Sequence, residues 1–425
     1  MPRPLGAEIL STGDEIRCGS VVDSNAAWIA ERLETAGVPV LRHTCVGDDR
    51  DAIAAALSEI GGRAAIAVVT GGLGPTADDR TAEAAAQAAG VPLLEHPEAL
   101  EVVKRFLSTR GVSVLAANRK QARLPDGAAC LDNPEGSAPG FRLRIGGCQV
   151  ICLPGVPHEM EAMLQRHVLP RIQDFIDLPA GVQEVAVINT FGMPESAVGE
   201  RLEGLEADFP GIRLGLRVVF PEIQVRLYGC ARERGVLEGL LAQATDEVCR
   251  RLGKRVVSTR GEGMAAVLGE VLRAQGRTLA VAESCTGGII GALLTDVAGS
   301  SDYFLLSAVT YANAVKTAVL GVAPEVLERW GAVHEATARA MAQGARQIAG
   351  ADYGLATTGI AGPGGGSADK PVGTVCIGLA SAEAVLGLKY VFAFNRRDMN
   401  RRMFAVLAMD RLRLWLRGEL GAGAV

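Results

Sequence analysis

At 425 residues the chain is long enough for two or three domains, and its 48% hydrophobic and 21% charged residues exclude a wholly disordered polypeptide. Only 4% of residues are aromatic while 52 are glycine, so large core anchors are few and close backbone approach to a ligand is affordable at many positions. A formal net charge of −5, from 43 Lys plus Arg against 48 Asp plus Glu, excludes a protein-wide basic footprint for nucleic acid.

Nine cysteines, odd in number and without a CxxC pair, give no disulfide framework and fit a reducing, cytoplasmic compartment. The five histidines show neither HExxH nor a metal-type cysteine pair, which argues against structural zinc. Glu8 and Asp14 stand where a signal peptide needs an apolar run, and no stretch approaches about 18 apolar residues, so no membrane contact is expected.

In chain order, residues 7–11, 38–46 and 64–70 read as strands, and residues 25–36, 51–60 and 81–89 as helices between and after them. That alternation predicts a parallel sheet covered on both faces. A helix at 97–109, strands at 140–145 and 149–153 and a helix at 158–167 complete the unit, with Pro170 marking its boundary. The pattern then changes. A strand at 185–189, a helix at 194–205, paired strands at 213–219 and 222–227 and a helix at 235–252 read as a small α+β module. The remainder begins with a helix at 263–274 and a strand at 278–282 running into a glycine turn and a helix at 288–297. A strand at 304–310, a helix at 335–349, strands at 353–358, 373–380 and 386–394, and a helix at 399–416 close the chain. The expected domains are 1–170, 171–254 and 255–425, in an α/β protein with a small α+β middle.

Strand 64–70 ends in Thr70-Gly71-Gly72-Leu73-Gly74-Pro75-Thr76-Ala77-Asp78-Asp79. Ligands bind beyond the carboxyl ends of parallel strands, and glycines there expose backbone N–H groups to phosphate. Asp78 and Asp79 suit a divalent cation beside such a loop, with capping of the next helix as the competing role. Arg119 and Lys120 are candidates to neutralise a second phosphate.

These residues carry a resemblance. Gly13-Asp14-Glu15, Gly19, Val22-Asp23-Ser24-Asn25, the Gly71–Thr76 loop with Asp78-Asp79, and Asn118-Arg119-Lys120-Gln121-Ala122 resemble the molybdopterin-binding-like domain of the CinA (competence/damage-inducible protein A) family. Asn133-Pro134, Gly136, Ala138-Pro139-Gly140-Phe141 and Leu153-Pro154-Gly155-Val156-Pro157 with Glu159-Met160 extend it. The resemblance implies a metal-dependent ADP-ribose pyrophosphatase in this domain. Thr70, Gly71, Gly72, Gly74, Thr76, Asn118 and Lys120 would bind phosphate or nucleotide, and Asp78 and Asp79 the metal.

In the last domain the strand at 278–282 leads into Glu283-Ser284-Cys285-Thr286-Gly287-Gly288. A hydroxyl at such a turn meets substrate near helix N–H groups, and Ser284 as nucleophile needs a base. His334, the domain's one histidine, precedes a helix start, so a Ser-His-Asp triad is not expected. A partly desolvated lysine can serve instead, and Lys316, one of three lysines after Lys254, stands just past a strand end. Tyr311 is a candidate proton relay, and Cys285 is the rival nucleophile. The glycine loop Thr358-Gly359-Ile360-Ala361-Gly362 suits phosphate or ribose, and Arg397 and Arg401, four apart, could pair with a phosphate.

The stretches 282–288, 311–316 and 358–366, with Lys370-Pro371-Val372-Gly373-Thr374, resemble the C-terminal CinA domain, a nicotinamide-mononucleotide (NMN) deamidase fold. Position by position, the resemblance makes Ser284 the nucleophile, Lys316 the base and Tyr311 its partner. It implies substrate contacts from Thr286, Gly287, Gly288, Asn313, Thr358, Gly359, Ala361, Gly362 and Arg397. Asn395-Arg396 stands where the family has Gly-Asp, and His334 where it has serine. The middle module resembles the family's KH-like domain but has no GxxG loop, so nucleic acid is not expected as a partner. The resemblance thus implies a bifunctional NAD-salvage hydrolase, a homodimer in the cytoplasm acting on NMN without a cofactor and on ADP-ribose with a divalent metal. The alternative is a non-catalytic molybdopterin- or nucleotide-binding, competence-related scaffold.

Overall fold

The computed structural model describes residues 6–109, 111, 116–176, 182–392 and 394–420. They divide into two compact units, the first reaching Glu184 with the segment Ala231–Glu233, the second comprising Val185–Cys230 and the chain from Arg234. Each is an α/β assembly in its own right.

In the first unit a six-stranded sheet runs in the order Val40–Val46, Ala7–Thr12, Ile66–Thr70, Cys148–Leu153, Gly140–Ile145, Ala129–Leu131. The first four strands are parallel. The expected parallel sheet gains an antiparallel edge, where Gly140–Ile145 pairs antiparallel with both neighbours. Only the two-residue turn Gly146-Gly147 separates it from Cys148, far too short for a parallel crossover. Alternation decides the two faces. Leu10, Ala67 and Val69 pack with Ile53, Leu57 and Ile60. Ile9, Ile66 and Val68 pack with Ile29, Leu33 and Met160. Helical structure continues past Pro170 to the helix Ile172–Phe175.

The second unit opens with a four-stranded sheet in the order Ile212–Val219, Glu222–Ala231, Val182–Thr190, Val256–Ser258, with the long helix Arg234–Leu252 beside it. A five-stranded sheet follows, ordered Phe304–Val309, Leu279–Glu283, Tyr353–Gly359, Thr374–Ala380, Val385–Val391. Its first three strands are parallel and the last two antiparallel. Of the strand expected over 386–394, residue 393 lies outside the described residues. Leu279, Val281, Leu355 and Ile377 face Phe404 and Leu268. The other face is built of Ala280, Ala282, Ala356 and Ala380 against Met341 and Ala342 of the helix Glu335–Ala349. Small side chains bring that helix unusually close; a Cβ on Gly378 would collide with the Ala338 carbonyl.

The last helix, Arg397–Leu416, carries a buried charge pair that ties the two parts of this unit together. Arg413, 1% exposed, donates to Asp410 at 2.7 Å and to the Lys254 carbonyl at 3.0 Å. No helix among the described residues is long and apolar enough to cross a membrane.

Candidate functional site

Three parallel strands of the second unit end side by side, so the loops after Glu283, Val309 and Gly359 converge at one edge of the sheet. Ser284 follows the central strand directly, its N–H donated to the Thr357 carbonyl at 3.0 Å. Lys316 lies in the first turn of the helix Asn313–Leu320, and its side chain is wholly buried. Its amine donates to the Thr310 carbonyl at 2.7 Å and the Tyr311 carbonyl at 3.1 Å, and lies 3.2 Å from the Ser284 hydroxyl. Two carbonyls fix two N–H bonds, and the remaining tetrahedral position faces Ser284. Burial, with no carboxylate among its partners, pushes the Lys316 amine below the ordinary lysine range. In the neutral amine that position is a lone pair, able to accept the serine proton.

Cys285 is buried and its thiol is pushed up to about 12, chiefly by burial. A thiol held protonated is a poor nucleophile, which removes the rival to Ser284.

Two expectations are corrected here. Substrate was expected to meet the helix N–H groups at Thr286, Gly287 and Gly288. The Gly287 N–H instead closes the turn on the Ser284 carbonyl at 3.2 Å. The Gly288 N–H goes to Glu283, whose fully buried carboxylate also accepts from the Ile290 and Gly291 N–H groups and the Ser307 hydroxyl. An anion at the start of the helix Ile289–Thr295 is well placed electrostatically, and it leaves no room for a second one. The N–H groups of Cys285 and Thr286 have no hydrogen-bond partner outside their own residues among the described residues, and they are the candidates left to face an oxyanion. Secondly, the Tyr311 phenol is not the partner of Lys316. It is 63% exposed and accepts from Arg397 at 3.1 Å; only the Tyr311 carbonyl meets the amine.

Arg397 links the phenol to the glycine loop, donating to the Gly362 carbonyl at 2.7 Å. Asn400 holds the adjacent Ala361 carbonyl at 3.0 Å. Arg401 donates to the Thr286 carbonyl at 2.8 Å and lies over Gly287, whose φ of +60° and missing Cβ admit it. The Thr286 hydroxyl is bonded to that of Thr357, and the Thr358 hydroxyl to the Ala332 carbonyl, so both are structural. Asn313 is exposed at the helix start, and Gly359 leaves room for the Cys285 sulfur, 3.2 Å from where a Cβ would stand. His334 caps the helix Glu335–Ala349 through Nδ1 and stacks on Trp330, which accounts for a histidine there without catalysis. Sequence reading missed Glu283 and Asn400. A glutamate ending an otherwise apolar strand just before a helix was the available signal for the first.

Glu283→Ala strands three backbone donors and a hydroxyl in the interior. We expect a loss of about 3 kcal/mol or more of stability, measured by denaturant unfolding of the full chain.

In the first unit, the strand ends present Asp14, Asp48, the Gly71–Asp79 loop and Gly155 together. The Thr70 hydroxyl donates to the Pro154 carbonyl and accepts from Asn25, so it braces the loop rather than facing a ligand. The Gly71 N–H is spent on the Leu153 carbonyl, whereas those of Gly72 and Gly74 make no hydrogen bond among the described residues. Gly72, at φ +66°, lies where any side chain would strike the Thr81 hydroxyl.

Asp79 does not stand free beside Asp78. One of its oxygens accepts both the Thr76 N–H at 2.8 Å and the Thr76 hydroxyl at 2.5 Å, locking the turn. Lys120 reaches the Thr76 carbonyl at 2.6 Å, beside this loop. Arg119 faces the other way, paired through two nitrogens with Glu95, and the Asn118 carbonyl accepts from the Gln121 N–H. The Asp78 carboxyl is held below its ordinary range, first by a hydrogen bond from Thr76 and also by Lys120 and Arg80. Its charge, with those of Asp14 and Glu15, adds to the burial that raises Asp48. Repulsion is felt at Asp48, and no three of these carboxylates close into a ligand group among the described residues. Asp79 is the turn's lock, and a cation beside Asp78 would need oxygen ligands from outside these carboxylates.

Family models match along the chain: a probable molybdopterin binding domain at residues 8–174, a damage-inducible protein CinA KH domain at 186–258, and a CinA C-terminal domain at 261–416. A CinA-like protein of Desulfosudis oleivorans is 50% identical over 410 residues, covering 96% of this chain and 98% of its own. That of Geobacter sulfurreducens is 46% identical, covering 97% and 98%. Among solved structures, a CinA protein of unknown function from Thermoplasma acidophilum shares 36% identity over 40% of this chain and 99% of its own, with a TM-score of 0.37.

Proposed function

From the premise that the chain belongs to the CinA family, we propose that its C-terminal domain hydrolyses the carboxamide of nicotinamide mononucleotide, giving nicotinate mononucleotide and ammonia. The observation that carries this reading is the wholly buried Lys316 amine held 3.2 Å from Ser284 by two carbonyls.

In the proposed mechanism, neutral Lys316 takes the Ser284 proton as the hydroxyl oxygen bonds to the amide carbon. The resulting oxyanion faces the Cys285 and Thr286 N–H groups. Lys316 returns the proton to the departing nitrogen, the C–N bond breaks, and ammonia leaves an ester on Ser284. Lys316 then deprotonates water, which attacks the ester, and the proton goes back to Ser284 as nicotinate is released. The exposed Arg397 and Tyr311, joined at 3.1 Å, stand where an arginine can pair with the 5′-phosphate. A scaffold protein has no use for a buried lysine held against a serine, which favours the enzyme. Amide-nitrogen release by the purified chain, with Ser284→Ala as control, tests the assignment.

The N-terminal domain is proposed to cleave the pyrophosphate of ADP-ribose. Asp78 would hold a divalent cation there, Gly72 and Gly74 N–H groups a phosphate, and Lys120 its charge. The cation, when bound, would polarise a phosphoryl oxygen. Asp78→Ala is expected to lower metal-stimulated ADP-ribose cleavage at least about tenfold while sparing NMN deamidation, measured as formation of AMP. Unchanged cleavage would leave the loop as a nucleotide or pterin binder.

A further inference from the structure

We propose that the first unit carries a site for one divalent transition-metal ion of the zinc class, held by His96, Glu98 and Cys130. The linear sequence gave no such spacing, because the ligands come from two elements 32 residues apart at their nearest. Folding brings one ligand atom from each to within 4.8 Å of the other two. A tetrahedral zinc ion with sulfur, nitrogen and oxygen ligands needs separations of about 3.3–3.6 Å, within reach of side-chain rotation.

The backbone beneath the three is fixed. His96 donates its N–H to the Ala122 carbonyl at 2.8 Å and accepts from Leu100 at 3.0 Å, entering the helix Pro97–Thr109 that carries Glu98. Cys130 pairs with Phe141 across the antiparallel edge of the sheet. Within this frame His96 Nδ1 is shielded from solvent and has no hydrogen-bond partner, a ring nitrogen left over by the protein's own bonding. Imidazole, thiolate and carboxylate together match zinc, cobalt or nickel rather than magnesium or calcium, which take oxygen ligands. The site is separate from the Asp78 carboxylates, which offer oxygen only. Three protein ligands leave a fourth position for water.

Titration of the chelator-treated full chain with Co²⁺ tests this. One equivalent is expected to bind with an intense near-ultraviolet thiolate-to-cobalt absorption that Zn²⁺ displaces. Cys130→Ser should abolish the absorption, which separates Cys130 from the exposed Cys18, Cys45 and Cys230. His96→Ala should weaken Co²⁺ binding at least about tenfold, and Asp78→Ala should change neither signal. Should Cys130→Ser fail to fold by circular dichroism, His96→Ala and the wild-type titration still decide. Absence of thiolate absorption in the wild type, its survival in Cys130→Ser, or undiminished affinity in His96→Ala overturns the site.

Discussion

Ser284→Ala is expected to lower NMN deamidation by at least about 10³-fold, with KM little changed and the fold intact. The hydroxyl is the only protein group in the proposed mechanism that bonds to substrate carbon, and the residue beside it cannot replace it. Cys285 points its thiol into the core, where burial holds it protonated. The substitution removes a single nearly buried oxygen, so it costs little stability. ADP-ribose cleavage, assigned to the other unit, is expected to be unaffected. A variant that deamidates at the wild-type rate would move the nucleophile elsewhere.

The second large effect concerns Lys316. A base must be neutral before it acts, and burial lowers its affinity for the proton. The rate should therefore rise with pH and level off below about 10.4, the value for a free lysine. Lys316→Arg keeps the charge and most of the length but cannot give up its proton, so a fall of about 10²–10⁴-fold is expected. An electrostatic role alone would leave Lys316→Arg substantially active and the pH profile flat. The same depression has a consequence for folding. Between the folded and unfolded lysine values the unfolded chain binds more protons, so stability contributed by this site rises with pH across that window. Below the folded value, folding carries the full penalty of a buried ammonium.

Several of these features were legible in the residues and others were not, for physical reasons. An apolar run ending in Glu-Ser-Cys-Thr-Gly-Gly marks a strand entering a helix, and it locates Ser284 without a structure. Lys316 stood out because lysine is scarce after Lys254. Its proximity to Ser284 depends on two parallel strands lying adjacent, which periodicity alone does not reveal. Asp78 and Asp79 look equivalent in sequence, yet one Asp79 oxygen takes both the N–H and the hydroxyl of Thr76, while Asp78 is held low by Thr76, Lys120 and Arg80. Arg119 and Lys120 are likewise neighbours in sequence. About 100° of helical rotation sends one to Glu95 and the other to Thr76. The Glu283 carboxylate was missed as an anchor because its donors assemble only when the next helix folds over it. The His96, Glu98 and Cys130 cluster was hidden for the same reason, since its members meet only across a sheet edge. The antiparallel edge strands follow from a turn too short for a crossover, a detail that strand patterns leave open.

The central claim is that a serine and a neutral buried lysine hydrolyse an amide. Its most direct test is ammonia release from NMN by the purified full chain in excess chelator, beside Ser284→Ala. The account predicts one ammonia per nicotinate mononucleotide formed, insensitive to chelator and absent in the variant. No ammonia from the wild type, or equal release from Ser284→Ala, would contradict it.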